Sequence, residues 1–299
     1  MRPAPFQYFA PRDLGEAVDL LARHGDDAKA LAGGQSLVPM MNMRLARPAV
    51  IVDLNRVAGM DRIELDGSGA LRIGALARQH ALETDGLVRS RAPLLSDAAP
   101  FIGHLQTRAR GTVGGSVAHA DPAAELPACM VALGTRLHVQ SARGRRTIAA
   151  ADFFQGLLAT ALEPDELLVE VEVPAAARAG HGFAEVARRH GDFALVGACA
   201  HLELDDVGRC RNPRLVFFGM TDTPHAALAV GAVNGESADR VRLEAVGRAA
   251  ADEMEPRADM HATAAYRRDV ARALGAEVLA AAGTRALAAL RTGAGGPVG

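Results

Sequence analysis

Apolar positions change their spacing several times along the chain, and each change marks an element. Residues 6–9 form a short aromatic strand candidate. Asp13 then stands as an N-cap before an amphipathic run in which Leu14, Ala17, Val18 and Leu21 share one helical face. Gly25 and Asp26 end that helix. Residues 28–31 are a brief apolar run that stops at Gly33 and Gly34, and helical character returns over residues 36–44, so the order is strand, glycine turn, helix. Residues 50–54 read as the next strand and close a first unit near residue 57. The runs 63–65 and 71–73, separated by a DGSG turn, predict a hairpin.

Residues 76–105 are helical in pattern, alanine-rich and interrupted by Pro93 and Pro100; they lead into the polar stretch 106–110 and a second glycine turn. Asp121 followed by Pro122 predicts a helix start, with an acceptor at the N-cap and proline at the first helical position. Leu126, Met130 and Leu133 fall on one face of that helix, and Gly134 stops it. Strands are expected over 136–140, 145–148 and 167–173, the last ended by Pro174. The small-residue segment AAARAGHG, residues 175–182, reads as a domain boundary. Beyond it, 183–188, 194–204 and 214–219 alternate like a three-stranded antiparallel sheet, and helices follow over 238–252 and 262–291. The fold class is α+β. The units expected are 1–57, 58–176 and 177–292, with a disordered tail at 293–299.

Composition narrows the function classes. A chain of 299 residues, 49% hydrophobic and 23% charged, has room for two domains and a large core. Its 33 basic and 35 acidic residues leave a net charge of -2, which speaks against a nucleic-acid partner. Cys129, Cys199 and Cys210 stand far apart without a CxxC pair, so no disulfide framework, zinc site or iron–sulfur site is signalled. They read as buried free thiols in a reducing compartment, and the expected location is cytoplasmic. The N-terminus has prolines and aromatics where a secretory signal would have a long apolar stretch. No run of about 18 uncharged apolar residues predicts a membrane span.

The candidate chemistry lies in the two glycine turns. A glycine turn that opens a helix can present several unpaired backbone N–H groups to an anion, phosphate above all. In the first turn, Ala32, Gly33, Gly34, Gln35 and Ser36, the glycines permit positive φ and close backbone approach, and Ser36 can cap the helix or donate to a phosphate oxygen. The second, Gly111, Thr112, Val113, Gly114, Gly115 and Ser116, has the same ingredients. Two such turns could hold the halves of a pyrophosphate. Neither matches a dinucleotide-binding GxGxxG or a GxxxxGK[ST] phosphate loop, and the only lysine, Lys29, precedes the first turn.

Three segments carry a resemblance. KALAGGQSLVPMMNMRLARPAVIVDLN, residues 29–55, and RGTVGGSVAHADPAAELPACMVALG, residues 110–134, resemble the two FAD signatures of the medium, flavin-binding subunit of molybdenum hydroxylases, the carbon monoxide dehydrogenase and xanthine dehydrogenase family. ARRHGDFALVGA, residues 187–198, is similar to the third signature, at the start of that subunit's C-terminal domain. The resemblance implies a PCMH-type FAD-binding domain of two α+β subdomains, followed by a CO-dehydrogenase-flavoprotein-type C-terminal domain of sheet plus helices.

Carried over residue by residue, the resemblance implies that Ala32 to Leu37 form the first pyrophosphate turn and Thr112 to Ser116 the second, both acting mainly through backbone N–H groups. Asp121 and Glu125 match acidic positions near the flavin. His119 is either a cofactor contact or a hydrogen-bonded histidine of a helix connection. Asp192 and Phe193 match an RxGD-aromatic motif, in which Phe193 either lies against the isoalloxazine or is a core phenylalanine at a domain junction. The chain departs from the family pattern at Glu185, where many relatives carry lysine, and at QTRAR, residues 106–110, in place of an Ile-Arg-Asn form.

The implied function is electron transfer through FAD in a heteromeric enzyme. A large partner subunit would hold a molybdenum cofactor, a small one two [2Fe–2S] clusters, in a dimer of heterotrimers that delivers electrons to an external acceptor. Two alternatives stay open: a self-contained FAD oxidoreductase of the PCMH superfamily, and a non-catalytic nucleotide-binding scaffold subunit. No Ser/His/Asp or Cys/His constellation nominates a catalytic residue on this chain.

Overall fold

The computed structural model describes residues 2–292; the tail expected at 293–299 lies outside the described residues. The first segment runs β1 (Gln7–Phe9), α1 (Leu14–His24), β2 (Ala28–Leu31), α2 (Leu37–Asn42) and β3 (Val50–Asp53). The Asp13 carboxylate accepts from the Glu16 N–H, a cap contributing about 1 kcal/mol. Leu21, Val18 and Ala17 of α1 are buried, as their spacing predicts. The three strands form a parallel sheet in the order β1-β3-β2, with Phe9 opposite Val52 and Leu31 opposite Asp53.

The second segment begins with β4 (Ile63–Leu65) and β5 (Leu71–Gly74), the expected hairpin. It continues through α3 (Gln79–Thr84), α4 (Gly86–Arg91), α5 (Pro93–Ala98), α6 (Leu105–Arg110), α7 (Val113–His119) and α8 (Glu125–Leu133). Then come β6 (Arg136–Ser141), β7 (Gly144–Ala149), α9 (Ala150–Phe153), the small pair β8 (Phe154–Gly156) and β9 (Ala159–Thr160), and β10 (Leu167–Val173). The larger strands make an antiparallel sheet in the order β4-β5-β10-β6-β7.

Two expectations fail in this segment. The helix predicted to start at Asp121-Pro122 starts at Glu125: the Asp121 carboxylate accepts from Ala123 N–H and its carbonyl from Ala124 N–H, a local turn that competes with the helix. And α8 is buried along every residue instead of on one face, because it lies between this segment and the next sheet. Gly134 does end it, at φ 62°.

The last segment contains β11 (Ala179–Ala187), β12 (Ala194–Leu204), β13 (Cys210–Phe218) and a two-residue β14 (His225–Ala226), then α10 (Arg240–Ala250) and α11 (Ala264–Thr292). The sheet is antiparallel and has four strands, one more than expected, because β14 adds to the β13 edge. Residues 179–182, within the segment read from sequence as a domain boundary, belong to β11, which therefore starts four residues before the expected strand. Their small side chains answer a packing demand: a Cβ on Gly180 would lie 1.9 Å from the Ala282 carbonyl oxygen, and one on Gly182 2.1 Å from that of Val278, both in α11.

The sheet is buried on both faces, with the alternation of side chains deciding which core each residue joins. Val196, Ala198, Ala200 and Leu202 pack with α10 and α11, whereas Cys199, Val216 and Phe218 join the core built around α8. Helix α11 is long and apolar enough to cross a membrane by length and composition alone, although charged residues interrupt its apolar run. Half of its most apolar stretch is buried, and it packs along β11 and β12 as a core helix. Asp97 of α5 accepts from Arg285 of α11 at 2.9 Å and contacts His181 of β11 at 3.1 Å, tying this sheet to the helices before it.

Candidate functional site

The first turn follows from the end of β2. Gly34 takes φ +73°, a left-handed conformation that glycine adopts without steric cost, and the chain re-enters a helix at Leu37. Gly33 has a different reason to be glycine: a Cβ there would lie 2.5 Å from the Arg110 carbonyl oxygen and 2.7 Å from Gly111 Cα. The two glycine turns are therefore in backbone contact. Among the described residues, the N–H groups of residues 33–37 have no acceptor in the protein; the first N–H engaged is that of Val38, by the Gly34 carbonyl at 3.1 Å. The Ser36 side chain, expected as a possible cap, makes no cap hydrogen bond. Five consecutive amide donors are thus left for a ligand.

The second turn is built otherwise. Thr112 is the N-cap of α7, and its hydroxyl accepts from Gly115 N–H at 3.0 Å. Val113 and Gly114 donate to the Ala77 and Ala75 carbonyls at 2.9 and 2.8 Å, and Ser116 donates to the Thr112 carbonyl at 3.1 Å. A Cβ on Gly114 would stand 2.4 Å from that of Ala75, so this glycine serves close packing. The amides of residues 113–116 are engaged inside the protein. What this turn offers a ligand is the Ser116 side chain and the bare surface of Gly115, whose added Cβ would meet Ala32 of the first turn at 3.4 Å. The expectation that both turns act mainly through backbone N–H groups holds geometrically for the first alone.

A brace fixes the turns to each other. Arg78 donates to the Arg110 carbonyl at 2.6 Å and to Asn55 Oδ1 at 2.9 Å, and Asn55 Nδ2 donates to the Ala32 carbonyl at 2.8 Å. These residues belong to no glycine motif. Their only signal in the sequence is polarity at the ends of two apolar strands.

Between the turns and the loop before β12 lies a cavity of about 680 Å³, within the roughly 300–1,000 Å³ of small-molecule and cofactor sites. Helix α6 runs along it for about 9 Å. Its C-terminal end carries Arg110 and Gly111 beneath the first turn. Its N-terminal end carries His104, 2.6 Å from where a Cβ on Gly191 would be. The wall takes in Ala32, Gly33, Gly34, Gln35, Ser36, Leu37, Thr112, Gly114, Gly115, Ser116, His119, Asp121, Glu125, Asp192 and Phe193. Val113 alone of the residues singled out from sequence is elsewhere, fully buried in the core beneath α7.

Phe193 is 68% exposed and at the cavity wall, which removes the reading of it as a core phenylalanine. His119 ends α7 facing the cavity and has no protein hydrogen-bond partner among the described residues, so it is not held in a helix connection. Sequence reasoning missed Gln79, a buried wall residue whose Oε1 has no partner, and the apolar lining from Ile102, Leu158 and Leu162. It also missed Arg108 of the QTRAR segment, which is buried and donates to the Gly103 carbonyl at 3.0 Å, shaping the wall near α6.

Two carboxyls, one in the wall and one outside it, hold their protons more tightly than usual. Burial pushes Glu125 up to about 7, with the Asp121 charge adding to the effect and Arg108 opposing it. Burial likewise pushes Glu185, on β11, up to about 8, reinforced by the charge of Glu125. Cys129, Cys199 and Cys210 are free and buried. Among the described residues no group of three His, Cys, Asp or Glu side chains is gathered to hold a metal ion.

Such a cavity, with unpartnered amides at one side and an exposed aromatic at the other, has the donor set of a flavin nucleotide site: anion-binding N–H groups, hydroxyls for polar contacts and a ring for stacking. Residues 4–176 match the family described as the FAD binding domain in molybdopterin dehydrogenase, and residues 181–282 the CO dehydrogenase flavoprotein C-terminal domain. The chain belongs to the family of FAD-binding medium subunits of molybdenum hydroxylases.

Among its relatives, the 6-hydroxypseudooxynicotine dehydrogenase complex subunit alpha of Paenarthrobacter nicotinovorans is 38% identical over 296 residues, 96% of this chain and 97% of that protein. The carbon monoxide dehydrogenase medium chain of Hydrogenophaga pseudoflava is 42% identical over 201 residues, 67% of this chain and 69% of that one. A solved carbon monoxide dehydrogenase from Hydrogenophaga pseudoflava, lacking the Mo-pyranopterin moiety of its molybdenum cofactor, superposes with a TM-score of 0.91 at 36% identity, covering 95% of this chain and 99% of the other. The chain is thus an oxidoreductase subunit with an FAD electron-transfer role.

Proposed function

We propose that this chain holds one FAD across its two glycine turns and passes electrons from the [2Fe–2S] clusters of a small partner subunit to an external acceptor, while substrate is oxidised at the molybdenum cofactor of a large partner. The observation that carries this reading is the row of five unpartnered N–H groups at residues 33–37, facing a cavity of cofactor size. Those amides take the pyrophosphate, with Ser36 and Ser116 as additional donors. Asp121, His119 and Asp192 line the same cavity and would offer polar contacts to the cofactor, and Phe193 would stack on its ring.

Bound flavin supplies the means to accept electrons singly and deliver them in pairs. The chain's own residues do the rest. Arg78 and Asn55 keep the two turns in register, the apolar side chains of Ile102, Leu158 and Leu162 exclude water from the ring, and Arg108 holds the wall beside α6. In this reading residues 1–57 and 58–176 grip the cofactor, and residues 177–292 close over it. The complex is a dimer of heterotrimers, and the buried free thiols suit a reducing, cytoplasmic setting.

The test is to purify the chain alone and with its partners and follow flavin absorbance. A yellow chain, or a colourless one that rebinds FAD, supports the reading; no affinity for FAD in either preparation overturns it. Turnover of a substrate by the isolated chain would instead favour a self-contained oxidoreductase.

A further inference from the structure

Among the described residues of the cavity wall, Gln79 alone has a buried side-chain atom left without a hydrogen-bond partner, its Oε1. The residue opens α3 and is only 5% exposed. Backbone bonds fix its place: the Gln79 N–H donates to the Gly111 carbonyl at 2.9 Å, and Arg78 pairs with Thr112 in an isolated antiparallel bridge. The side chain is thereby laid against the second glycine turn. A Cβ on Gly111 would lie 2.2 Å from Gln79 Oε1 and 2.8 Å from its Cδ. Gly111 has φ -56°, which any residue adopts, so the backbone does not call for glycine there. Its missing side chain is the room that the Gln79 carboxamide fills.

A buried acceptor without a partner costs stability, and a ligand that donates to it removes the cost. A carboxamide has an oxygen at one end and two N–H groups at the other, and a half-turn about its terminal bond exchanges them. The Thr107 carbonyl oxygen lies 3.0 Å from the same point beside Gly111. Turned in this way, the amide sets its N–H edge on the side of that carbonyl and its oxygen on the side of the cavity. Pyrophosphate oxygens only accept, and the free amides of residues 33–37 are there to meet them. What Oε1 lacks is a donor. Its place along the cavity says which one: Gln79 stands at the Gly111 end of α6, and α6 leads from there toward Gly191 and the exposed ring of Phe193. In FAD the segment between the phosphates and the ring is the ribityl chain, whose hydroxyls both donate and accept.

We propose that Gln79 is a specificity-determining residue of the cofactor site, its carboxamide hydrogen-bonding a ribityl hydroxyl of FAD, so that the chain reads the polyol as well as the phosphates. The proposal rests on the FAD reading above. The backbone bond to Gly111 holds Gln79 in register with the second turn, so the same contact that braces the turn aims the amide. A site built to hydrogen-bond a hydroxyl rejects the analogue that lacks it, because the buried polar group is then left unpaired.

The experiment is a calorimetric titration of the flavin-free full chain, alone and with its partners, using FAD, analogues of FAD that each lack one ribityl hydroxyl, and ADP. In the wild type at least one analogue is expected to bind roughly tenfold more weakly than FAD. In Gln79→Leu, FAD binds about as weakly as that analogue, the analogue loses little more, and ADP, which has no ribityl chain, binds as it does to the wild type. A merely structural role for Gln79 gives another pattern, with FAD, analogue and ADP all weakened by one factor, and that result overturns the proposal. So does a wild type that binds FAD and every analogue equally, a measurement that needs no variant. Should Gln79→Leu not fold, Gln79→Met, unbranched and of similar length, puts the same question. No binding of FAD by the wild type overturns the flavin reading and this assignment with it, whereas FAD binding without discrimination overturns the assignment alone.

Discussion

The two glycine turns look interchangeable as strings of residues, yet they fold to opposite purposes. In the first, the chain leaves an edge strand and touches the second turn through Gly33, yet the amides of residues 33–37 donate to no carbonyl. In the second, the chain runs antiparallel to residues 75–78 before entering α7, so Val113 and Gly114 spend their N–H groups on Ala77 and Ala75. One turn is an anion cradle and the other a platform that backs it. The lesson is that a glycine motif reports close approach, and only the neighbouring strands decide whether the approach is by a ligand or by the protein's own backbone.

The sharpest way to break this contrast is Gly33→Val. The added side chain meets the Arg110 carbonyl and Gly111 at under 3 Å, and overpacking of about 1–3 kcal/mol should part the turns. FAD affinity is then expected to fall roughly 10–100-fold in a fluorescence titration. An unchanged affinity would show that contact between the turns is irrelevant to binding. Arg78→Leu removes the brace while leaving every glycine in place. Its loss should cost about 1.5–3 kcal/mol and weaken FAD binding by roughly tenfold or more, whereas independent turns would tolerate it.

Thr112→Ala sharpens the contrast from the side of the platform. It deletes the cap on Gly115, worth about 1 kcal/mol, and should lower the Tm by a few degrees, about 2–4 °C, with a smaller effect on FAD affinity than either change above. A larger effect on FAD binding than that of Gly33→Val would reverse the roles assigned to the turns.

The mildest effect expected is on pH dependence. Neither turn contains a titratable side chain, so a response near neutrality comes from elsewhere: from the carboxyls Glu125 and Glu185, and in the opposite sense from the histidines His138, His181 and His201, which burial holds below the ordinary imidazole value. Glu125 and Glu185 bind protons more tightly in the folded chain than at the ordinary carboxyl value of 4.5. Their stabilisation is therefore complete below about that pH and is lost as pH rises through about 7 and about 8. Chemical denaturation of the FAD-free chain across that window should show stability declining, and the double variant Glu125→Gln/Glu185→Gln should flatten the decline. A difference between the wild-type and double-variant profiles that does not change with pH would remove both groups from the perturbed acids.

Legibility in the sequence followed the range of the interactions involved. Asp13, Gly25 and Gly134 act within a turn of their own helices and were readable where they stand. The strands of the second segment were placed to within a residue or two, because short apolar runs bounded by turn residues or Pro174 mark a strand even where, as in β10, nearly every residue is buried. Asp121 misled because its carboxylate does cap a backbone N–H, but that of a local turn. The strand after the 175–182 segment begins earlier than its pattern shows, at Ala179, because small residues serve a connection and a strand pressed against a helix equally well. Arg78 and Gln79 had no motif to announce them, and Asn55 and Arg108, though inside segments compared with the family, had no legible role, because what each side chain meets is set by folding.

By itself the sequence determined the α+β class, most elements, the two glycine turns and, through the likeness of three segments to a known family, the cofactor. Those properties rest on local periodicity, on capping chemistry and on residue types that only one backbone geometry accommodates. Tertiary structure alone decided which amides stay free, that Val113 is core and Phe193 is not, and that Glu125 is buried in the cavity wall without a salt-bridge partner among the described residues. A group is unpaired or perturbed only by virtue of what the rest of the chain does or does not bring to it, and such neighbours are set by packing across dozens of residues.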